Sequence, residues 1–134
     1  MSRPTVLFIC VQNAGRSQIA AALLERYAAG RVRVLSAGSA PADEVHPSVV
    51  TAMAEVGIDM SRAKPRALSD SSVHEADAVV TMGCGDACPV YPGKRYLDWD
   101  VADPDGRAIE DVRPIRDDID RRVRGLLEEL APAD

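Results

Sequence analysis

Aromatic residues are scarce in this chain, with one Trp, three Tyr and one Phe among 134 residues. Ile, Leu, Val and Ala must therefore fill most of any core. Positive charge is not in excess either. A formal net charge of −5 excludes nucleic acid and anionic membranes as bulk partners, although a local nest of N–H donors can still hold an anion. No run approaches the roughly 18 apolar residues of a membrane span. No secretory core is visible, because Val6 to Ile9 is too short and Arg16 interrupts the next stretch. A cytoplasmic monomer without membrane attachment is expected. Linkers, repeats and low-complexity tracts are missing, and the length is that of one domain spanning 1–134. The three cysteines are an odd number, and in a reducing compartment they do not suit a static disulfide framework. Chemistry or metal binding is their better use.

The residues that are present read as alternating strands and helices. Thr5 to Cys10 is a continuous apolar run of strand length, as expected for a central parallel strand covered on both faces. From Ser17 the apolar positions Ile19, Leu23 and Tyr27 recur at four-residue spacing up to Gly30, which predicts a helix. Val32 to Ala37 reads as a second strand, with Gly38 ending it. Val45 to Val56 reads as a helix, with Val49, Met53 and Val56 on one face and Pro47 in its first turn. The polar stretch Lys64 to His74 holds a short helix ahead of a third strand at Asp77 to Met82. Gly83 to Arg95 is an irregular loop, and Tyr96 to Asp98 a short fourth strand. Ile115, Ile119, Val123, Leu126, Leu127 and Leu130 form the apolar stripe of a last helix. The fold class is α/β: one domain with a small, about four-stranded parallel sheet flanked by helices.

The chemistry is concentrated where the first strand ends. Cys10-Val11-Gln12-Asn13-Ala14-Gly15-Arg16-Ser17 places a thiol at the carboxyl end of a strand and an arginine and serine at the start of a helix. Ligands gather at such strand ends. The amides of Val11, Gln12, Asn13, Ala14, Gly15 and Arg16, with the helix dipole, would favour a thiolate at Cys10 and bind a tetrahedral anion. Arg16 adds a planar fork for oxygens on which charge develops. The Ser17 hydroxyl is placed to donate to the sulfur. The segment is not the GxxxxGK[ST] nucleotide loop, since no lysine comes after the glycine. The competing reading is a buried cysteine that merely ends a strand.

Cys10-x5-Arg16-Ser17, Ser36-Ala37-Gly38 and Asp103-Pro104 together resemble the low-molecular-weight tyrosine phosphatase family over nearly the whole chain. Within that fold, Val79-Val80-Thr81-Met82 followed by Cys84 and Cys88-Pro89 resembles its thioredoxin-coupled arsenate reductases. The resemblance implies Cys10 as nucleophile, Arg16 and the loop amides as oxyanion binders, and Asp103 as general acid, with Asp105 its nearest competitor. It implies arsenate as substrate, with phosphate or sulfate as mimics, thioredoxin as reductant, and no cofactor or resident metal. Some members bind potassium near the loop through an acidic residue on the first helix. Asn13 and Ser36 match that pattern, but Ala21 stands at the acidic position.

Cys84 and Cys88 are separated by Gly85, Asp86 and Ala87. In a helical turn, Cα atoms four residues apart fall about 6 Å from each other, within disulfide range. A relay is then the natural reading: arsenate on Cys10, attack by Cys84, resolution by Cys88, and reduction by thiol exchange. Two inert thiols, or a zinc site completed by His46 or His74, remain as alternatives. Three competing functions stand beside arsenate reduction: phosphomonoester hydrolysis, mycothiol-dependent reduction, and non-enzymatic oxyanion binding or redox sensing. No aromatic residue neighbours the loop in the sequence, which argues against a cleft built for an aryl phosphate.

Overall fold

The computed structural model describes residues 3–83 and 94–131. The strands β1 (Thr5–Cys10), β2 (Arg33–Gly38), β3 (Ala78–Thr81) and β4 (Arg95–Asp98) form one parallel sheet in the order β2-β1-β3-β4. Helix α1 (Arg16–Ala28) joins β1 to β2. Helices α2 (Pro47–Ala54) and α3 (Asp70–Glu75) lie between β2 and β3, and α4 (Ile109–Leu130) comes after β4.

All six residues of β1 are buried, because strands flank it on both sides and helices cover both faces. Strand alternation divides its side chains. Val6, Phe8 and Cys10 join the larger core with residues of α1, α2 and α4, whereas Leu7 and Ile9 pack with Ala37, Val79 and Val73 of α3. The chain runs from β1 outward to β2 on one side and later to β3 on the other. Connections diverge at such a reversal and leave a crevice at the strands' carboxyl ends. Cys10, paired with Gly38 in the β1–β2 register, ends its strand on the floor of that crevice.

The elements agree with the sequence patterning, and their boundaries differ for identifiable reasons. α2 begins at Pro47 rather than Val45, because the residue before a proline is pushed to extended backbone; His46 sits at φ −58°, ψ 131° as the N-cap. α2 ends at Ala54, and Ile58 N–H returns to Met53 O around Gly57, whose φ is +83°. That left-handed glycine closes the helix and turns Val56, expected on the packed face, out to 36% exposure. β2 runs to Gly38, its last residue. Arg95 belongs to β4 rather than to the loop before it. α4 begins at Ile109 and carries Pro114 inside, with Val112 extending the buried stripe of Ile115, Ile119, Val123, Leu126 and Leu127.

Complete burial of an aliphatic side chain contributes about 1.5–3 kcal/mol, against about 0–1 kcal/mol for an exposed ion pair. The aliphatic stripe therefore dominates the attachment of α4. Ion pairs at its margin fix where it lies. Arg116, a buried arginine, donates to Ala52 O at 2.7 Å and to Glu55 Oε1 at 3.0 Å, while Arg113 grips Glu55 through Nε and Nη2 at 3.0 and 2.7 Å. The Arg113 hydrogen bonds, opposed by desolvation and aided by Arg116, hold the Glu55 carboxyl at about 2.

A carboxyl lowered on folding adds stability above its unfolded value of 4.5, and that contribution disappears as pH falls through the folded value. Glu55→Gln should accordingly lower Tm at pH 7. The gap from the wild type should narrow between pH 4.5 and about 2, and added salt should shrink it. Thermal denaturation followed by circular dichroism across that range checks this.

Candidate active site

The loop between β1 and α1 is moulded by the segment after β2. Ser39, Ala40, Ala42 and His46 donate their backbone N–H groups to the carbonyls of Cys10, Val11, Gln12 and Ala14 at 3.2, 2.8, 2.9 and 3.0 Å. Ile19 N–H takes Gly15 O at 2.9 Å. The loop's carbonyls are thus turned outward. Among the described residues, no N–H of residues 11–16 has a backbone acceptor, which leaves those donors for a guest. Gly38 permits this approach, since a Cβ there would meet Val11 O at 2.6 Å and Asn13 N at 2.9 Å. The N-cap of α1 is Gly15, with no side-chain cap and no acidic residue in the first turn. The positive end of the helix is left for an anion.

Beneath the loop runs a line of hydrogen bonds that reaches the sulfur. Arg66 N–H, which can only donate, gives to Asn13 Oδ1 at 2.8 Å. That identifies the oxygen of the Asn13 amide and aims Nδ2 at Ser17 Oγ, 2.7 Å away. Ser17 Oγ also lies 2.9 Å from Cys10 Sγ, and either atom of that pair can be the donor. Gln18 Nε2 braces the line by donating to Asn13 Oδ1 and Lys64 O, both at 3.1 Å. Cys10, Asn13 and Ser17 are all buried. Asn13 reaches this position with φ +51°, a conformation that asparagine tolerates better than most residues.

Arg16 and Asp103 face each other across the mouth. The Arg16 guanidinium lies beneath Gly83, where a Cβ would meet Nη1 at 2.6 Å. Its Nη2 is 3.5 Å from Asp103 Oδ2, with side-chain exposures of 11% and 51%. Its Nε is buried without a hydrogen-bond partner among the described residues. A buried guanidinium N–H left over in this way is costly unless an oxygen of a guest accepts it. Asp103 accepts Asp105 N–H on Oδ1 at 3.0 Å. Asp105, the competing carboxylate, faces His46 at 3.7 Å rather than Arg16.

Three features of the site are not legible in the sequence. Asn13 reads there as one loop amide among several, yet its side chain organises the line to the nucleophile; the left-handed backbone that puts it there has no sequence signature beyond the residue type. Trp99 corrects the expectation that no aromatic residue neighbours the loop. It meets Phe8 in a tilted arrangement, 5.8 Å between ring centroids, and lines a cleft of about 370 Å³ with Arg16, Thr81, Gly83, Asp98, Asp100 and Val101. Its distance along the chain hides that proximity, which the β1-β3-β4 order produces. His46 stands against Gly15 at the loop, whereas His74 is exposed on α3. Ala21 is half-buried on α1. Cys84 and Cys88, with Pro89, lie outside the described residues.

Comparison with known proteins agrees with this geometry. The family described as low molecular weight phosphotyrosine protein phosphatase matches residues 5–133. A relative from Halobacterium salinarum that carries an arsenate reductase name is 44% identical over 132 residues, covering 95% of this chain and 93% of its own. A glutaredoxin arsenate reductase from Synechocystis is 32% identical, covering 94% of this chain and 98% of its own. Among solved structures, the thioredoxin-dependent arsenate reductase of Corynebacterium glutamicum superposes with TM-score 0.83 at 48% identity over 97% of this chain. This chain spans 62% of the length of that protein.

Removing the hydroxyl beside the sulfur tests this line of hydrogen bonds. Ser17→Ala should slow alkylation of Cys10 by iodoacetamide at neutral pH by about tenfold, the size of one hydrogen bond to a charged group. A rate profile over pH, with and without sulfate as protectant, checks it.

Proposed function

The chain belongs to the low molecular weight phosphotyrosine protein phosphatase family, and on that premise we propose that it is an arsenate reductase whose electrons come from thioredoxin. The observation that carries the reading is the joint geometry of Cys10, the outward-turned loop and the Nε of Arg16, which has no partner among the described residues. These groups suit a four-oxygen anion held over a thiolate. Arsenate fits that description, and relatives named arsenate reductases support it. The cytoplasm, where thiols stay reduced, is the compartment that goes with this chemistry, and a monomer suffices for it.

In the proposed sequence the Cys10 thiolate attacks arsenic while Asp103 gives a proton to the departing oxygen, so that water leaves and an S–As(V) bond forms. Arg16 and the amides of residues 11–16 hold the remaining oxygens as charge builds on them. The Cys84 thiolate then attacks Cys10 Sγ. The S–As bond breaks with its electron pair going to arsenic, which departs as arsenite, and a Cys10–Cys84 disulfide remains. Attack by the Cys88 thiolate on Cys84 frees Cys10 and leaves a Cys84–Cys88 disulfide. Two electrons from the thioredoxin dithiol reduce that bond. A third thiol inside the chain makes mycothiol unnecessary, and the 48% identity to a thioredoxin-dependent enzyme favours thioredoxin over glutaredoxin.

Phosphomonoester hydrolysis is the second reading, and Trp99 favours it. An aryl phosphate seated on the loop would place its ring in the cleft that Trp99 and Arg16 line. Phosphate esters lack the accessible reduced state of arsenate, so the same attack by Cys10 would end in hydrolysis.

Incubation with arsenate, thioredoxin, thioredoxin reductase and NADPH should give steady-state arsenite. Glutaredoxin with glutathione, or mycothiol, should support little. Cys88→Ser should give at most one turnover and accumulate a Cys10–Cys84 disulfide detectable by mass spectrometry. Normal turnover by that variant would remove the relay while leaving the oxyanion site intact.

A further inference from the structure

We infer that His46 is a positioning residue that holds Asp103 over the oxyanion loop, acting through Asp105. The inference rests on the proposal that Asp103 is the proton donor, and it addresses what fixes that carboxyl in place.

The turn that carries Asp103 is shaped locally. Asp103 Oδ1 accepts Asp105 N–H at 3.0 Å, Asp103 O accepts Arg107 Nε at 2.7 Å, and Arg107 N–H returns to Pro104 O at 3.1 Å. These bonds set the turn's form but do not attach it to the loop around Cys10. Three contacts do so. Asp103 Oδ2 faces Arg16 Nη2 at 3.5 Å. Pro104, buried, lies so close to Gly15 that a Cβ on Gly15 would meet its Cγ at 2.6 Å. His46 Nε2 faces Asp105 Oδ1 at 3.7 Å.

The three differ in what a substrate does to them. Arg16 must turn its fork to the bound oxyanion, so its hold on Asp103 is shared at the moment the proton is needed. Pro104 supplies packing and no direction. The His46–Asp105 contact uses no group that touches substrate, so a bound oxyanion does not compete for it.

His46 is suited to act as the fixed post. Its backbone N–H donates to Ala14 O at 3.0 Å, tying it to the oxyanion loop itself. Its carbonyl accepts from Val49 and Val50 at 2.9 and 3.1 Å, which anchors it as the N-cap of α2. Its side chain is 18% exposed and its ring packs against Gly15, where Cδ2 would lie 3.4 Å from an added Cβ. A ring held this way has little freedom left to lose, so its contact orders Asp105 at small entropic cost. Asp105 is joined to Asp103 through the backbone bond already described, and a displaced Asp105 carries Asp103 with it. At 3.7 Å the contact is longer than a hydrogen bond, and it sets a position without holding the loop together.

The test is a mutant cycle that joins His46→Ala, Asp105→Ala and Asp103→Asn with the double variant His46→Ala/Asp103→Asn. Because Asp105 is half exposed, its truncation remains informative if the His46 variant folds poorly. We expect kcat/KM for arsenate reduction to fall about 10- to 100-fold in His46→Ala and Asp105→Ala, the range for misplacing a catalytic group by about an ångström or less. Protection of Cys10 from iodoacetamide by arsenate should stay within about twofold of wild type. In the Asp103→Asn background, His46→Ala should cost nothing further. An equal loss in both backgrounds, or a loss of protection that parallels the loss of kcat/KM, would overturn the inference. If Asp103→Asn itself leaves kcat/KM unchanged, the proton-donor reading fails and this inference fails with it, while the Cys10 site stands. The same cycle on p-nitrophenyl phosphate hydrolysis reads the positioning role independently of the thiol relay.

Discussion

One backbone proton orders the nucleophile's surroundings. The N–H of Arg66 admits only an acceptor, and by taking Asn13 Oδ1 it decides which way the amide faces. Nδ2 then faces the serine oxygen, and the serine hydroxyl lies beside the sulfur. Asn13, Ser17 and Cys10 are buried, and there an unpaired polar group would cost about 1–3 kcal/mol.

The sheet brings the remaining parts to this line. β1 lies between β2 and β3, and its carboxyl end faces the mould after β2 on one side and Gly83 after β3 on the other. The loop after β4 then passes the same point with Trp99 and Asp103. Groups from four separate stretches converge because parallel strands all deliver their carboxyl ends to one edge. The scaffold that holds them is aliphatic. Phe8 is buried in the larger core and meets Trp99 at its border.

Much of the site was legible because its chemistry is local. Cys10, the small loop residues, Arg16 and Ser17 occupy eight consecutive positions between a strand and a helix pattern, and their relation comes from backbone connectivity. The α/β order was legible for a similar reason: the buried run of β1 and the stripe of α4 have unmistakable periods. The missed features are those in which distance along the chain exceeds the reach of any periodic signal. Trp99 meets Arg16 through strand order, His46 meets Asp105 through a loop crossing, and Arg66 meets Asn13 through a backbone group that no side-chain pattern encodes. Helix ends were misjudged where one residue governs its neighbour, as Pro47 does for His46 and Gly57 for Val56.

The carbonyls of the loop are engaged by neighbours that belong to the fold and not to the guest. Holding several parallel dipoles toward an empty centre is electrostatically unfavourable, and that cost is met once, when the chain folds. Little reorganisation energy then remains to be supplied at each encounter. Anions of similar shape consequently enter the same preset field, and discrimination between arsenic and phosphorus must come after capture, from whether the central atom can accept an electron pair.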